Sequence, residues 1–92
     1  MPLNDVKAVI ISRQSCFKCT DIVESLKKEE VPSTVILFKE GGAQYLAERE
    51  HMPQYLPCTF LYKKDMLVFV ADGLADFMEK WEDYLGADQE IQ

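Results

Sequence analysis

Basic residues are in short supply in this chain: ten lysines and arginines face sixteen aspartates and glutamates, a formal net charge of −6. The lysines are dispersed (Lys7, Lys18, Lys27, Lys28, Lys39, Lys63, Lys64, Lys80), so no basic patch exists to neutralise phosphates. Nucleic acid and an anionic membrane surface are therefore not expected partners. Long apolar runs are also missing. The longest, residues 8–11, 35–38 and 66–71, are four to six residues, which suits strands and falls far short of the ~20 needed to span a bilayer. Residues 1–7 have neither the basic start nor the apolar stretch of a signal peptide, so the expected compartment is the cytoplasm. Cysteine is scarce, and its count of three is odd and too small for a secreted disulfide framework. Neither a repeat nor a low-complexity segment interrupts the chain.

What is present suits one folded unit. At 92 residues, 48% apolar and 28% charged, the chain has room for a single core. The expected domain is 1–92, with its core in about 6–85 and a frayed tail over 87–92. Residues 6–11 are apolar and β-branched on consecutive positions, the pattern of a strand covered on both faces. A helix starts around residue 16, with Ile22, Val23 and Leu26 on its inner stripe, and Val31-Pro32 is expected to end it. Residues 34–38 read as a second buried strand. After Gly41-Gly42, residues 43–50 form a short helix with Tyr45 and Leu46 inward. Residues 59–62 and 66–70 make a β-hairpin around Lys63-Lys64-Asp65. The spacing of Leu74, Phe77, Met78, Trp81 and Leu85 predicts a final amphipathic helix, with Gly86 as its stop. The expected fold class is α/β, in the order β-α-β-α-β-β-α: a four-stranded mixed sheet with helices on both faces.

The chemistry concentrates in Cys16-Phe17-Lys18-Cys19. Two cysteines separated by two residues, just after a strand, put both sulfurs on the first turn of a helix. Free cysteine is only about 3% thiolate at neutral pH, and a helix N-terminus can lower its pKa toward roughly 7. Cys16, at the helix start, is the expected nucleophile. Cys19, one turn deeper, is the expected resolving thiol, and Lys18 between them is a cation able to hold a thiolate. Spacing alone leaves electron exchange and ion binding both open.

Three further segments bear on that choice. Ser12-Arg13-Gln14-Ser15 ahead of the cysteine pair resembles the glutaredoxin segment in which Ser-Lys precedes Cys-Pro-Tyr-Cys. Leu56-Pro57, at the head of a strand, resembles the Val-Pro of the thioredoxin superfamily, whose proline is cis and faces the active-site sulfurs. Asp72-Gly73-Leu74-Ala75-Asp76 resembles the glutaredoxin Gly-Gly-x-Asp-Asp turn before the final helix. The resemblance covers roughly residues 6–85 and implies a thioredoxin fold and a glutaredoxin-like thiol–disulfide oxidoreductase, nearest to the small redoxins that donate electrons to ribonucleotide reductase.

Carried over by position, the resemblance makes Cys16 and Cys19 catalytic and gives Arg13 a glutathione carboxylate. It gives the Leu56 backbone the cysteinyl part of a substrate beside Pro57, and Asp76 the glutathione ammonium group. Phe17 is expected outside, as a contact for substrate together with Lys18. Tyr55 and Phe60 are open between substrate contact and core. The implied partners are a disulfide-containing protein, with ribonucleotide reductase one candidate, and glutathione or a flavoprotein thioredoxin reductase as electron source. No tightly bound cofactor and no metal are expected. Phe17-Lys18 and Asp72 stand where glutaredoxins have Pro-Tyr and glycine. In place of the tryptophan and buried aspartate of thioredoxins are Ser15 and Ile10.

Cys58, directly after Pro57, reads first as a small buried hydrophobe and second as a third thiol near the redox pair. A rival from another class is a redox-sensing or zinc-holding module without turnover, using Cys16, Cys19, Cys58 and His51. The His51-to-Cys58 gap is atypical of compact zinc sites, and His51 is expected as a solvated residue at a helix end.

Overall fold

The structure, a computed structural model, describes residues 4–14 and 17–90, with side chains as far as residue 87. Strand β1 (Val6–Ser12) leads to helix α1 (Phe17–Lys28), strand β2 (Ser33–Leu37), a 3₁₀ turn (Phe38–Glu40) and helix α2 (Gly42–Glu48). Strands β3 (Cys58–Lys63) and β4 (Met66–Asp72) and helix α3 (Leu74–Glu90) follow. The strands form one mixed sheet in the order β2-β1-β3-β4, with β1 parallel to β2 and antiparallel to β3. The expected element order and mixed sheet are both present.

Alternation along the central strands divides the interior in two. Val6, Ala8 and Ile10 of β1 and Leu61 of β3 point toward α1 and α3, where they meet Ile22, Leu26, Phe77 and Trp81. Ile11 of β1, with Cys58 and Phe60 of β3, points to the other face and packs with Leu46 of α2. The stripe Phe77, Trp81, Tyr84 is packing, its neighbouring rings stacked with centroids 5.8 and 6.0 Å apart.

Three features depart from expectation for identifiable physical reasons. Strand β2 is an edge strand rather than a buried one, and Val35 is 47% exposed, because only β1 pairs with it. Helix α3 runs through Gly86 to Glu90, since a lone glycine weakens a helix without obliging it to end. The segment 87–90, expected to fray, is therefore helical, and 91–92 lie outside the described residues. Helix α1 stops before Val31-Pro32: the Val31 N–H reaches the Leu26 carbonyl and the Glu30 N–H the Lys27 carbonyl. Glu30 lies in the left-handed region at φ 57°, so the stop is a Schellman motif with glutamate in glycine's usual place. Helix α2 ends the same way, with Glu50 at φ 53° and the His51 N–H on the Leu46 carbonyl. Among the described residues no helix is long and apolar enough to cross a membrane.

Candidate active site

In the sequence the cysteine pair follows β1 and runs into the first turn of α1. Cys16 lies outside the described residues, as does Ser15. Phe17, the first residue of α1, is 88% exposed, as expected. Cys19, on the first turn, is turned inward beside Ile22 and is 7% exposed; it is disulfide-bonded. Ile10 stands fully buried in the core, so this position of β1 supplies no proton acceptor.

The loop before β3 supplies the opposite wall. The Leu56-Pro57 peptide bond is cis, as the resemblance of this segment implied. Pro57 is buried, and its carbonyl accepts the Gly73 N–H at 2.8 Å, which ties this loop to the turn before α3. Leu56 borders a groove of about 370 Å³ whose other walls include Arg13, Gln14, Phe38 and Lys39. Gln54 and Tyr55 border a second cleft, of about 510 Å³, with Lys18, Gly73 and Asp76. Arg13 and Gln14, before Cys16 in the sequence, share one hollow with Leu56, and Lys18, after it, shares the other with Tyr55 and Asp76. Tyr55 is 67% exposed, whereas Phe60 is buried in the sheet as a core residue.

Asp76 is already engaged. Its Oδ2 accepts the Asp72 N–H at 2.9 Å and the Lys80 ammonium at 3.0 Å. The backbone donor first, with Lys80 assisting and burial opposing, holds its carboxyl below the usual carboxylate range. Of the residues expected to meet substrate, Arg13 and Leu56 share one hollow and Lys18 and Asp76 the other, while Phe17 and Pro57 line neither.

His51 corrects its expectation: it is not a solvated helix end. The Schellman motif of α2 turns it back over the sheet, where its ring meets Phe60 edge-on at 5.8 Å. His51 Nε2 lies 2.8 Å from Asp72 Oδ1. The same oxygen accepts the Cys58 thiol at 3.4 Å, and Asp72 Oδ2 accepts the Gln54 N–H at 3.1 Å. Burial disfavours the Asp72 charge, but the bonds from His51, Gln54 and Cys58 outweigh it and hold the carboxyl low. Cys58, fully buried, has its thiol pKa pushed far up by burial and then by Asp72.

Sequence reasoning grouped His51 and Cys58 only with Cys16 and Cys19 and missed this cluster, because Asp72 was not placed beside them. A hairpin counted outward from Lys63↔Met66 without interruption sets Ala71 opposite Cys58. A bulge between Leu61 and Tyr62 shifts the pairing so that Asp72 is opposite Cys58, and a one-residue shift exchanges the faces of the strand. No turn or composition signal marks that bulge.

No protein-family model matches this chain, and neither does any curated protein. Solved structures do resemble it. Fasciola hepatica thioredoxin aligns at a TM-score of 0.61 and 21% identity, over 84% of this chain and 76% of that one. Thioredoxin f2 of Chlamydomonas reinhardtii aligns at 0.65 and 14% identity, over 92% of this chain and 80% of that one. A chain from a structural study of thiol resolution in yeast mitochondrial 1-Cys peroxiredoxin via glutathione/thioredoxin systems aligns at 0.60 and 14%, over 86% and 76%. The element order, the sheet topology and these likenesses agree: the chain has the thioredoxin fold.

Proposed function

We propose that this protein is a thiol–disulfide oxidoreductase that reduces protein disulfides through Cys16 and Cys19. The observation that carries the reading is the pair of hollows linking the cis Leu56-Pro57 loop to residues before and after Cys16 in the sequence, Arg13 and Gln14 in one and Lys18 in the other. A substrate lying across the cysteines would meet the Leu56 backbone as an added strand meets a sheet edge. Arg13 offers a guanidinium to a carboxylate of the substrate or of glutathione. Lys18 and Asp76 offer one charge of each sign in the second cleft, and Phe17 and Tyr55 supply exposed apolar contact.

In the reaction the Cys16 thiolate attacks one sulfur of the substrate disulfide. That S–S bond breaks, and the other sulfur leaves as a thiolate that takes a proton. Cys19 then gives up its proton and attacks the Cys16 sulfur, releasing the second substrate thiol and leaving a Cys16–Cys19 disulfide. Two electrons pass to the substrate. Glutathione, or a flavoprotein reductase, returns them; ribonucleotide reductase is a candidate substrate protein. A pKa of roughly 7 for Cys16 would raise its thiolate fraction about 16-fold, but the lower basicity cuts nucleophilicity, and the net kinetic gain is about threefold. Stabilising Cys16 as a leaving group matters at least as much.

The test is reduction of insulin disulfides, with glutathione and thioredoxin reductase compared as donors. Cys16→Ser protein is expected to give no turnover, and Cys19→Ser protein to accumulate a mixed disulfide visible by intact mass. Full turnover by the Cys16→Ser variant overturns the proposal.

A further inference from the structure

On the α2 face of the sheet, away from the core that packs Cys19, three different metal-binding side chains converge. His51 offers Nε2, Cys58 Sγ and Asp72 a carboxylate oxygen, and the three atoms lie within 4.8 Å of one another. They come from three parts of the fold: the loop that carries the cis proline, the first residue of β3, and the last residue of β4. We propose that His51, Cys58 and Asp72 form a binding site for a single zinc ion, with a fourth position open to water.

The donor set and the geometry both point there. Thiolate, imidazole and carboxylate together suit zinc better than calcium or magnesium, which prefer all-oxygen shells. Tetrahedral zinc, with bonds of about 2.0–2.3 Å, holds its ligand atoms roughly 3.3–3.6 Å apart. The Cys58–Asp72 separation of 3.4 Å falls within that range, the His51–Asp72 separation of 2.8 Å is shorter, and all three atoms lie within 4.8 Å of one another, so movements on the order of 1 Å complete the site.

Its surroundings are ordered for the purpose. The Gln54 N–H occupies Asp72 Oδ2 and leaves Oδ1 facing the other two ligands, while the Phe60 ring fixes the plane of His51. Such outer contacts orient metal ligands. The Cys58 sulfur is buried, whereas the His51 and Asp72 side chains are 29% and 21% exposed, so an ion and its water can enter from the surface. Binding replaces the Cys58 thiol proton, which passes to solvent. The bound ion ties the Leu56-Pro57 loop to β3 and β4. This site shares no ligand with the proposed dithiol and stands whether or not Cys16 and Cys19 turn over.

The experiment uses the full chain carrying Cys16→Ser and Cys19→Ser, which removes every other thiol, after treatment with a chelator. Titration with cobalt(II) is expected to saturate at one equivalent, with a sulfur-to-cobalt charge-transfer band and the intense visible bands of a tetrahedral site, both erased by zinc. Adding Cys58→Ala is expected to abolish the charge-transfer band. His51→Ala should weaken zinc affinity more than about 100-fold, beyond what loss of an outer-shell partner causes. Zinc should also raise the thermal midpoint of the double-serine protein and leave that of its His51→Ala derivative unchanged. Failure of the double-serine protein to bind cobalt, or equal zinc affinity with and without His51, overturns the proposal.

Discussion

Asp76 does two jobs with one oxygen atom. As the third residue of α3 it reaches back past Gly73 to the Asp72 N–H, an arrangement close to the glutamate half of a capping box, and it pairs with Lys80 one turn on. Its folded pKa is depressed. A depressed carboxylate contributes stability that is present above the unfolded value, about 3.9, and is lost as pH falls through the folded one. Asp76→Asn protein, which keeps an acceptor and loses the charge, is therefore expected to unfold at lower urea than the parent at about pH 7. The difference should shrink as pH falls from about 3.9 through the folded pKa of Asp76, where the carboxylate takes up its proton. Equal midpoints at neutral pH would show that the charge does nothing at this helix end. Asp76 was legible because Asp72-Gly73-Leu74-Ala75-Asp76 combines a turn with a helix start. The partnership of Asp72 with His51 was not, because it depends on a strand bulge and on a helix ending with Glu50 where glycine is usual.

At the scale of elements, the same residue type has opposite meanings at two places. Gly42 opens α2 where the helix crosses the sheet: a Cβ there would lie 2.7 Å from Ile11 Cγ2 and 2.9 Å from the Leu37 carbonyl oxygen. Gly86 sits inside α3 with open space around its missing side chain. Gly42→Ala should cost about 1–3 kcal/mol by overpacking, whereas Gly86→Ala should gain about 0.5–1 kcal/mol of helix stability. Thermal unfolding of the two variants beside the parent checks this, and shifts of the same sign would refute it. In the sequence both glycines read as punctuation, because what a glycine does depends on what lies opposite it. The elements themselves were legible where periodicity was strong, as in α3 with Phe77 and Trp81 buried, and in the hairpin. Strand β2 was misread as buried because an edge strand and a central one can carry the same run, Val35-Ile36-Leu37, and only pairing distinguishes them.

At the scale of the molecule, the two apolar clusters share their strands. Ile10 and Ile11 of β1 point to opposite faces, and so do Phe60 and Leu61 of β3; neither cluster can open without disturbing strands that the other needs. Cooperative unfolding as one unit follows, as for most small domains. The chain's one tryptophan, Trp81, is 3% exposed and lies on the α3 side, so its fluorescence reports on the face opposite α2. Phe60→Ala empties space under α2 and should cost about 3–5 kcal/mol, a large share of the ~5–15 kcal/mol that stabilises a typical domain. If the sheet couples its faces, the urea midpoint read from Trp81 should fall as far as the one read from far-ultraviolet circular dichroism, although Trp81 touches nothing that was removed. A Trp81 transition that stays in place while the dichroism shifts would mean that the α2 face unfolds by itself. The His51–Cys58–Asp72 cluster and the cis-proline loop would then belong to a separately melting part of the molecule.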